Sequence, residues 1–408
     1  SPAVRAAAVR LDNAAEALND PSDRVRIAAL AFPLPVVALR NAFADSSRRF
    51  RRAAAAHGGV RDLAAADDDP VVRARSMPTF QDEDHRVRAA AVTTTNAEQA
   101  LADPCALVWF SAAKVLRRDP ARLLGVRMAR PESAPPVDRI SLTPPDPTLR
   151  RPLGSTGLAV SPLGLSGHYG LSVRGFEAGV REGINFLFWE PAYREQSAFM
   201  RRLAPSLRDE LVVAAGTFEA SPKAMAADLE RALSQMGLEV LDLFWVFWIR
   251  SEGRLRDDVR AYLDGEVARG RIRAWGVSTH QRRLARWALA TGVDPLMVRL
   301  NAAHRGSERE VLPHVEGQGV VGFSNLLYGR LLEGQDGWKP EAWHCYRYVL
   351  ELPNVTATWM APSNEAQLRH NVRAMREPLP EEVRHRLLAH GDRVYERETR
   401  FRRCVRAL

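Results

Sequence analysis

Cysteine is scarce in this sequence: among 408 residues only Cys105, Cys345 and Cys404 occur, far apart and odd in number. That excludes a disulfide framework and a cysteine-built metal site, and a reducing cytosol is the expected compartment. Long apolar runs are missing too. No stretch reaches the ~18 apolar residues of a membrane-crossing helix, and no secretory signal pattern is present, so no membrane partner is expected. Zinc-ligand spacings and nucleophile-elbow motifs are also absent, so no metal is expected. A Gly-x-Gly-x-x-Gly turn does not follow the first strand-like run, which makes a doubly wound open sheet the second choice of fold.

Charge of both signs is plentiful, but the balance is basic, with a net charge of +9 carried mostly by arginine. Residues 1–130 hold 20 Lys and Arg against 15 Asp and Glu, so 5 of the 9 excess charges lie there. A mixed solvated surface is the expected consequence, with a nucleic-acid-binding face as a lesser alternative. The 46% hydrophobic and 26% charged content is that of an ordinary globular chain, and the length allows two domains. The chain opens Ser1-Pro2-Ala3-Val4-Arg5 without a methionine, as a truncated or processed chain would.

Residues 1–130 carry a degenerate repeat: an Asp-rich turn, then an apolar residue, Arg and Ala. It shows at Asp23-Arg24-Val25-Arg26, Asp69-Pro70-Val71-Val72-Arg73 and Asp84-His85-Arg86-Val87-Arg88. The apolar anchors fall at 4, 25, 50, 72, 87 and 108. Asp or Asp-Pro caps each helix start, and Val and Ala face the neighbouring unit. No single unit buries its face alone, so an α-helical solenoid is expected. The unit resembles leucine-rich-repeat variants and, more distantly, HEAT repeats, which implies a protein partner on the repeat surface. Arg5, Arg26, Arg51, Arg73 and Arg88 either bond the neighbouring helix end or line one face for an acidic partner. A proline-rich connector follows over 131–149, from Pro131 through Pro135-Pro136 to Pro144-Pro145-Asp146-Pro147.

From 150 to 408 apolar runs alternate with amphipathic stretches. Strands are expected at 159–165, 184–189, 211–216, 241–248, 272–278, 296–300, 319–324 and 355–360, and helices for example at 222–236, capped by Ser221, and 255–269. Eight such units define an α/β fold of the (β/α)8 TIM-barrel class, closed by a C-terminal helix. The stretch Gly183-Ile184-Asn185-Phe186-Leu187-Phe188-Trp189-Glu190-Pro191-Ala192-Tyr193 is then a buried strand delivering side chains to the barrel mouth.

That stretch resembles the second strand of aldo-keto reductases, Gly-Ile-Asn-Phe-Phe-Asp-Thr-Ala-x-x-Tyr. So do Arg151 to Ser161 as the opening hairpin, Gly237 to Phe244 as the fourth strand, Gly276-Val277-Ser278 as the fifth, and Phe323-Ser324 as the seventh. The resemblance implies NADP or NAD as cofactor, held by Ser278, Phe323, Ser324, Asn364 and Asn371. It also implies a proton-donating Tyr tuned by Asp and Lys beside a substrate-orienting His. Only the tyrosine is kept, as Tyr193. The Asp position holds Phe188, the Lys position Thr217 or a neighbour, and the His position Phe247. Thr279, Met297, Ala361 and Gln367 depart from the cofactor-binding pattern.

Two aromatics and a threonine do not lower a phenol pKa, so the hydride machinery reads as lost. The expectation is a non-catalytic scaffold or ligand sensor without a bound nicotinamide. The alternative is a divergent oxidoreductase or repurposed enzyme working through Tyr193 or Glu190, whose carboxyl beside Trp189 would have a raised pKa. Trp189, Trp248, Arg250, His280, His304 and Arg305 follow strand ends and are the candidate ligand residues at the mouth. Arg305 is expected to pair with Glu308 or Glu310, and His280 to cap the helix after it.

Overall fold

The computed structural model describes residues 2–45, 47–76, 78–103, 105–116, 139–140, 142–334 and 338–397. Cys404 and residues 131–138 and 141 of the expected connector lie outside them. The chain divides into two compact units, Ser1–Val126 and Arg127–Leu408.

The first unit is built of short helices. Six of them pack in series: Pro2–Ala7 on Asp23–Ala29, that on Arg48–Ala54, then Pro70–Ser76, His85–Ala90 and Ala106–Val115, while Val36–Asp45 also packs on Arg48–Ala54. The anchors Val25, Phe50, Val72, Val87 and Val108 are all buried between them. Val4 is the exception: it is 68% exposed, on a helix with no buried residue. Aspartates start several helices, Asp84 accepting from the Arg86 amide and Asp69 from the Val71 amide. The repeated arginines are tied to aspartates: Arg5 to Asp20 at 2.7 Å, Arg51 to Asp67 at 2.6 Å, Arg73 to Asp82 at 2.9 Å and Arg88 to Asp103 at 2.8 Å. Arg26 pairs with Asp23. Arg5, Arg51, Arg73 and Arg88 therefore bond the turn that leads into the next helix of the series, Arg26 bonds the first turn of its own, and the five do not form an open cationic face.

In the second unit an antiparallel pair, β1 (Arg151–Pro152) and β2 (Ala159–Val160), precedes the barrel. The barrel strands are β3 (Leu163–Ser166), β4 (Phe186–Phe188), β5 (Val212–Thr217), β6 (Leu241–Val246), β7 (Ile272–Thr279), β8 (Leu296–Arg299), β9 (Val320–Phe323) and β10 (Ala357–Met360). They close in sequence order, all parallel, with β10 pairing β3. Each expected strand run overlaps one of them, with β3, β5 and β7 each running one residue past the expected end. The run expected at 159–165 spans two elements, β2 of the hairpin and the start of β3, parted by Pro162. The helix at Pro222–Met236 is capped by the Ser221 hydroxyl, and the next runs over Asp257–Ala268.

Inside, Leu153, Leu158 and Val160 of the hairpin seal the N-terminal end. Above them lie Phe186, Trp245, Ala274 and Val321. The large rings fit because glycines face them: a Cβ on Gly276 would meet Trp245 at 2.8 Å, and one on Gly164 would meet Trp359 at 2.3 Å.

Candidate functional site at the barrel mouth

The strand ends bring aromatics together where the resemblance places charged catalytic groups. Phe188 and Phe247 both turn inward, their rings 5.7 Å apart edge to face. Phe188 lies 5.2 Å from Trp359, and Phe218 covers Phe247 at 4.9 Å. Phe247 is seated over Gly216, where a Cβ would lie 2.5 Å from its ring. Thr217 is buried and donates to Asp228 at 2.6 Å, tying β5 to the helix behind it. Trp189, expected at the mouth, is corrected to a structural residue. It alternates with Phe188 on the strand, so its indole turns away and donates to Ser197 at 2.8 Å.

On the β3–β4 side, Tyr193 and Glu190 do converge. After β4 the Trp189 amide still bonds Ala214 of β5, and a turn then carries the Tyr193 amide onto the Glu190 carbonyl at 2.9 Å. The Tyr193 hydroxyl lies 3.2 Å from His168 Nδ1 and also bonds Ser166 and Glu190. Dense protein around Glu190, whose side chain keeps a partial opening to solvent, lifts its carboxyl to about 7, while the bond to Tyr193 pulls the other way. Burial, then the Glu190 charge, push the Tyr193 phenol well above 10. Burial lowers His168, so its imidazole is neutral.

His168 and Ser166 were not among the expected site residues. Part of their signal was available: counting by twos from inward Gly164 turns Ser166 inward at the end of β3, paired with Phe188, and His168 follows in the turn just beyond. Placing that strand at 159–165 hid it.

Across the mouth, on the β6–β8 side, His280 is a hub. Its Nδ1 accepts from Arg299 at 3.2 Å, and its ring meets Phe323 at 5.0 Å and Trp248 at 5.7 Å, both edge to face. It does not cap the following helix, whose N-cap position is Gln281. Burial, then Arg299 and Arg250, depress it to about 4. Arg250 lies over the Trp248 ring, its guanidinium carbon 3.8 Å from the centroid. Trp248 has a positive φ of 51°, held by its amide donating to Ser278 Oγ at 2.8 Å.

His304 and Arg305 do not belong to this site. His304 packs edge to face on Tyr395 of the C-terminal helix, 5.1 Å away, and Arg305 pairs with Asp392 of the same helix. The expected partners of Arg305 are engaged elsewhere, Glu308 with the Tyr348 hydroxyl and Glu310 with Arg282.

The expected cofactor positions are largely committed within the fold. Ser278 Oγ accepts from Trp248, the Phe323 ring is met by His280, and the Ser324 carbonyl accepts from Asn301 at 3.0 Å. Asn364 caps the helix Glu365–Asn371 by accepting from the Gln367 amide at 2.9 Å, and Asn371 is buried. Among the described residues no cluster of three or more His, Cys, Asp or Glu side chains fits a metal ion, and no helix is long and apolar enough to cross a membrane.

The closed eight-stranded parallel barrel has the fold of the aldo-keto reductases. The structure of an aldo-keto reductase from Klebsiella pneumoniae in complex with NADPH matches with a TM-score of 0.50 at 20% identity, over 60% of this chain and 95% of that one. An aldo-keto reductase from Bacillus halodurans in its holo form gives 0.49 at 19% identity, over 60% and 95%. The Bacillus subtilis protein YtbE, described as an uncharacterized oxidoreductase, is 29% identical over 168 residues, 40% of this chain. The chain thus spans about half, 54%, of the length of that curated relative. No family model matches the chain.

Proposed function

We propose that this protein joins a protein-binding helical repeat unit to an aldo-keto-reductase barrel that has lost hydride transfer and serves as a ligand-binding scaffold or sensor. The observation that carries the proposal is the ring contact of Phe188 and Phe247. Both occupy strand-end positions where the resemblance expects polar catalytic groups, and both turn inward over the barrel core. The remaining tyrosine is poorly suited to donate a proton, since its phenol is pushed further from neutrality.

The residues present do not fit a nicotinamide dinucleotide. A neutral imidazole covers the ring that would stack on it, and two guanidiniums flank that imidazole where an oxidised, cationic nicotinamide would have to lie. The pairing of the repeated arginines with aspartates favours a protein over nucleic acid as the partner of the helical unit. Titration of the purified protein with NADPH and NADH, by fluorescence and calorimetry, is expected to show no saturation up to millimolar cofactor. A panel of carbonyl compounds is expected to show no cofactor-dependent turnover. Tight cofactor binding with turnover would sink the proposal.

A specific observation favours a second reading, a repurposed acid–base enzyme. Glu190, near 7, bonds Tyr193 beside His168, which is the pKa a general base needs at neutral pH. Under this reading any turnover found by substrate screening drops about 100-fold or more in Glu190→Gln. Activity indifferent to that substitution eliminates it.

A further inference from the structure

We propose that a cleft at the N-terminal end of the barrel, opposite the mouth, binds a small organic monocarboxylate. The cleft shares no residue with the mouth, so it stands whether or not the barrel turns over a carbonyl compound. Three segments form it: β1 of the hairpin, the loop from Val315 that leads into β9, and the loop from Asn354 that leads into β10. Between them lies a cavity of about 250 Å³. That is below the roughly 300–1,000 Å³ of sites for drug-sized ligands, so its occupant is small.

Arg151 supplies the charge. It lines the cavity, half-buried, and has no carboxylate partner among the described residues. Its hydrogen bonds there run from Nη1 to the Val355 and Thr356 carbonyls at 3.3 and 3.4 Å, both long for an N–H donor. Nε and Nη2, adjacent on the guanidinium, are left as an open fork of donors. Arg150, next in sequence, is by contrast paired with Glu210 at 2.8 Å. The carboxylate of Asp294, packed against Gly154 of the cleft, is taken up by the Ser155 amide and hydroxyl and by the Gly319 amide. Burial, then the charge of Arg347, lower the Arg151 pKa, and an anion beside it would offset both costs.

The walls suit the rest of such a ligand. Gln318 Oε1 accepts from the Glu316 amide at 2.7 Å, which leaves its Nε2 as a further donor in the cleft. Pro152, Val315 and Val355 give an apolar lining for a hydrocarbon body. The loop before β10 is pinned in advance, since Asn354 Nδ2 donates to the Leu312 carbonyl at 3.1 Å. A guanidinium fork matches a carboxylate, and one cation balances one negative charge. A phosphate monoester carries about −1.5 to −2 at neutral pH and would leave charge uncompensated beside exposed Glu316.

The test is calorimetric titration of the full chain with benzoate, its neutral isostere benzamide and inorganic phosphate at constant ionic strength. Benzoate is expected to bind about tenfold or more tightly than either of the others. Its affinity is expected to fall about tenfold or more in Arg151→Gln and in Gln318→Glu. The second variant keeps the acceptor for the Glu316 amide, so the loop stays closed while a donor becomes a negative charge. It therefore decides the matter even if Arg151→Gln loosens the hairpin. Benzamide or phosphate binding as tightly as benzoate, benzoate affinity unchanged in Gln318→Glu, or no benzoate binding up to about 10 mM overturns the inference.

Discussion

Glu190→Gln is expected to raise the melting temperature at pH 8 and to leave it nearly unchanged at pH 4. The folded carboxyl titrates near 7, against about 4.3 in an unfolded chain. Between those values the folded state holds a proton that the unfolded state has released, so stability falls as pH rises. The favourable contribution is complete below the unfolded value and lost as pH passes through about 7. The full shift corresponds to at most about 4 kcal/mol, less here because the side chain keeps an opening to solvent. Glutamine keeps the neutral shape and its bond to Tyr193 without the ionisation. At pH 8 the neighbours do not contribute, since burial lowers His168 from an ordinary value already below that pH and raises Tyr193 from one already above it. Subtracting the two melting curves from pH 4 to 9 isolates the group, with about 3–8 °C expected at pH 8 for a unit of this size. Parallel wild-type and variant profiles would show that Glu190 ionises freely.

The eight barrel strands were legible because parallel strands buried on both faces are continuous apolar runs, such as Leu241 to Val246. What failed was the finer split at Pro162, where one apolar run serves both the hairpin and β3. That Phe188 and Phe247 stand where the resemblance expects Asp and His was also legible, residue by residue. Their direction was not, since it depends on the barrel register, although alternation from Phe188 predicts that Trp189 faces outward.

Pairings across long sequence separations were the least legible part of the site. Arg305 has two glutamates within five residues, yet it bonds Asp392 because the C-terminal helix crosses that strand end. His280 had the position of a helix cap, but Arg299 and Phe323 from the next two strands claimed its ring. In the helical unit the spacing placed Val25, Val72, Val87 and Val108 in the core, but it also named Val4, which is exposed.

Asp242→Ala is expected to cost the barrel unit about 3 kcal/mol or more, the largest effect of any single charge removal described above. Asp242 sits on β6 with its side chain 3% exposed. Its oxygens accept from the Val213 amide of β5 at 2.8 Å, from Arg208 at 2.9 Å and from Arg273 of β7 at 3.1 Å. One carboxylate therefore ties three consecutive strands at the N-terminal end of the barrel. Alanine leaves the buried Val213 amide without its acceptor and leaves two guanidiniums facing each other. Arg273 is half exposed and can turn to water, so the cost falls at the lower end of the range for a broken buried pair. Asp242→Asn keeps one acceptor for the amide and should lose less than half as much. Thermal unfolding of both variants is the measurement, with about 6–12 °C expected for alanine. A loss under 2 °C for alanine, about half a kcal/mol, would mean that the β-ladder alone fixes these strands.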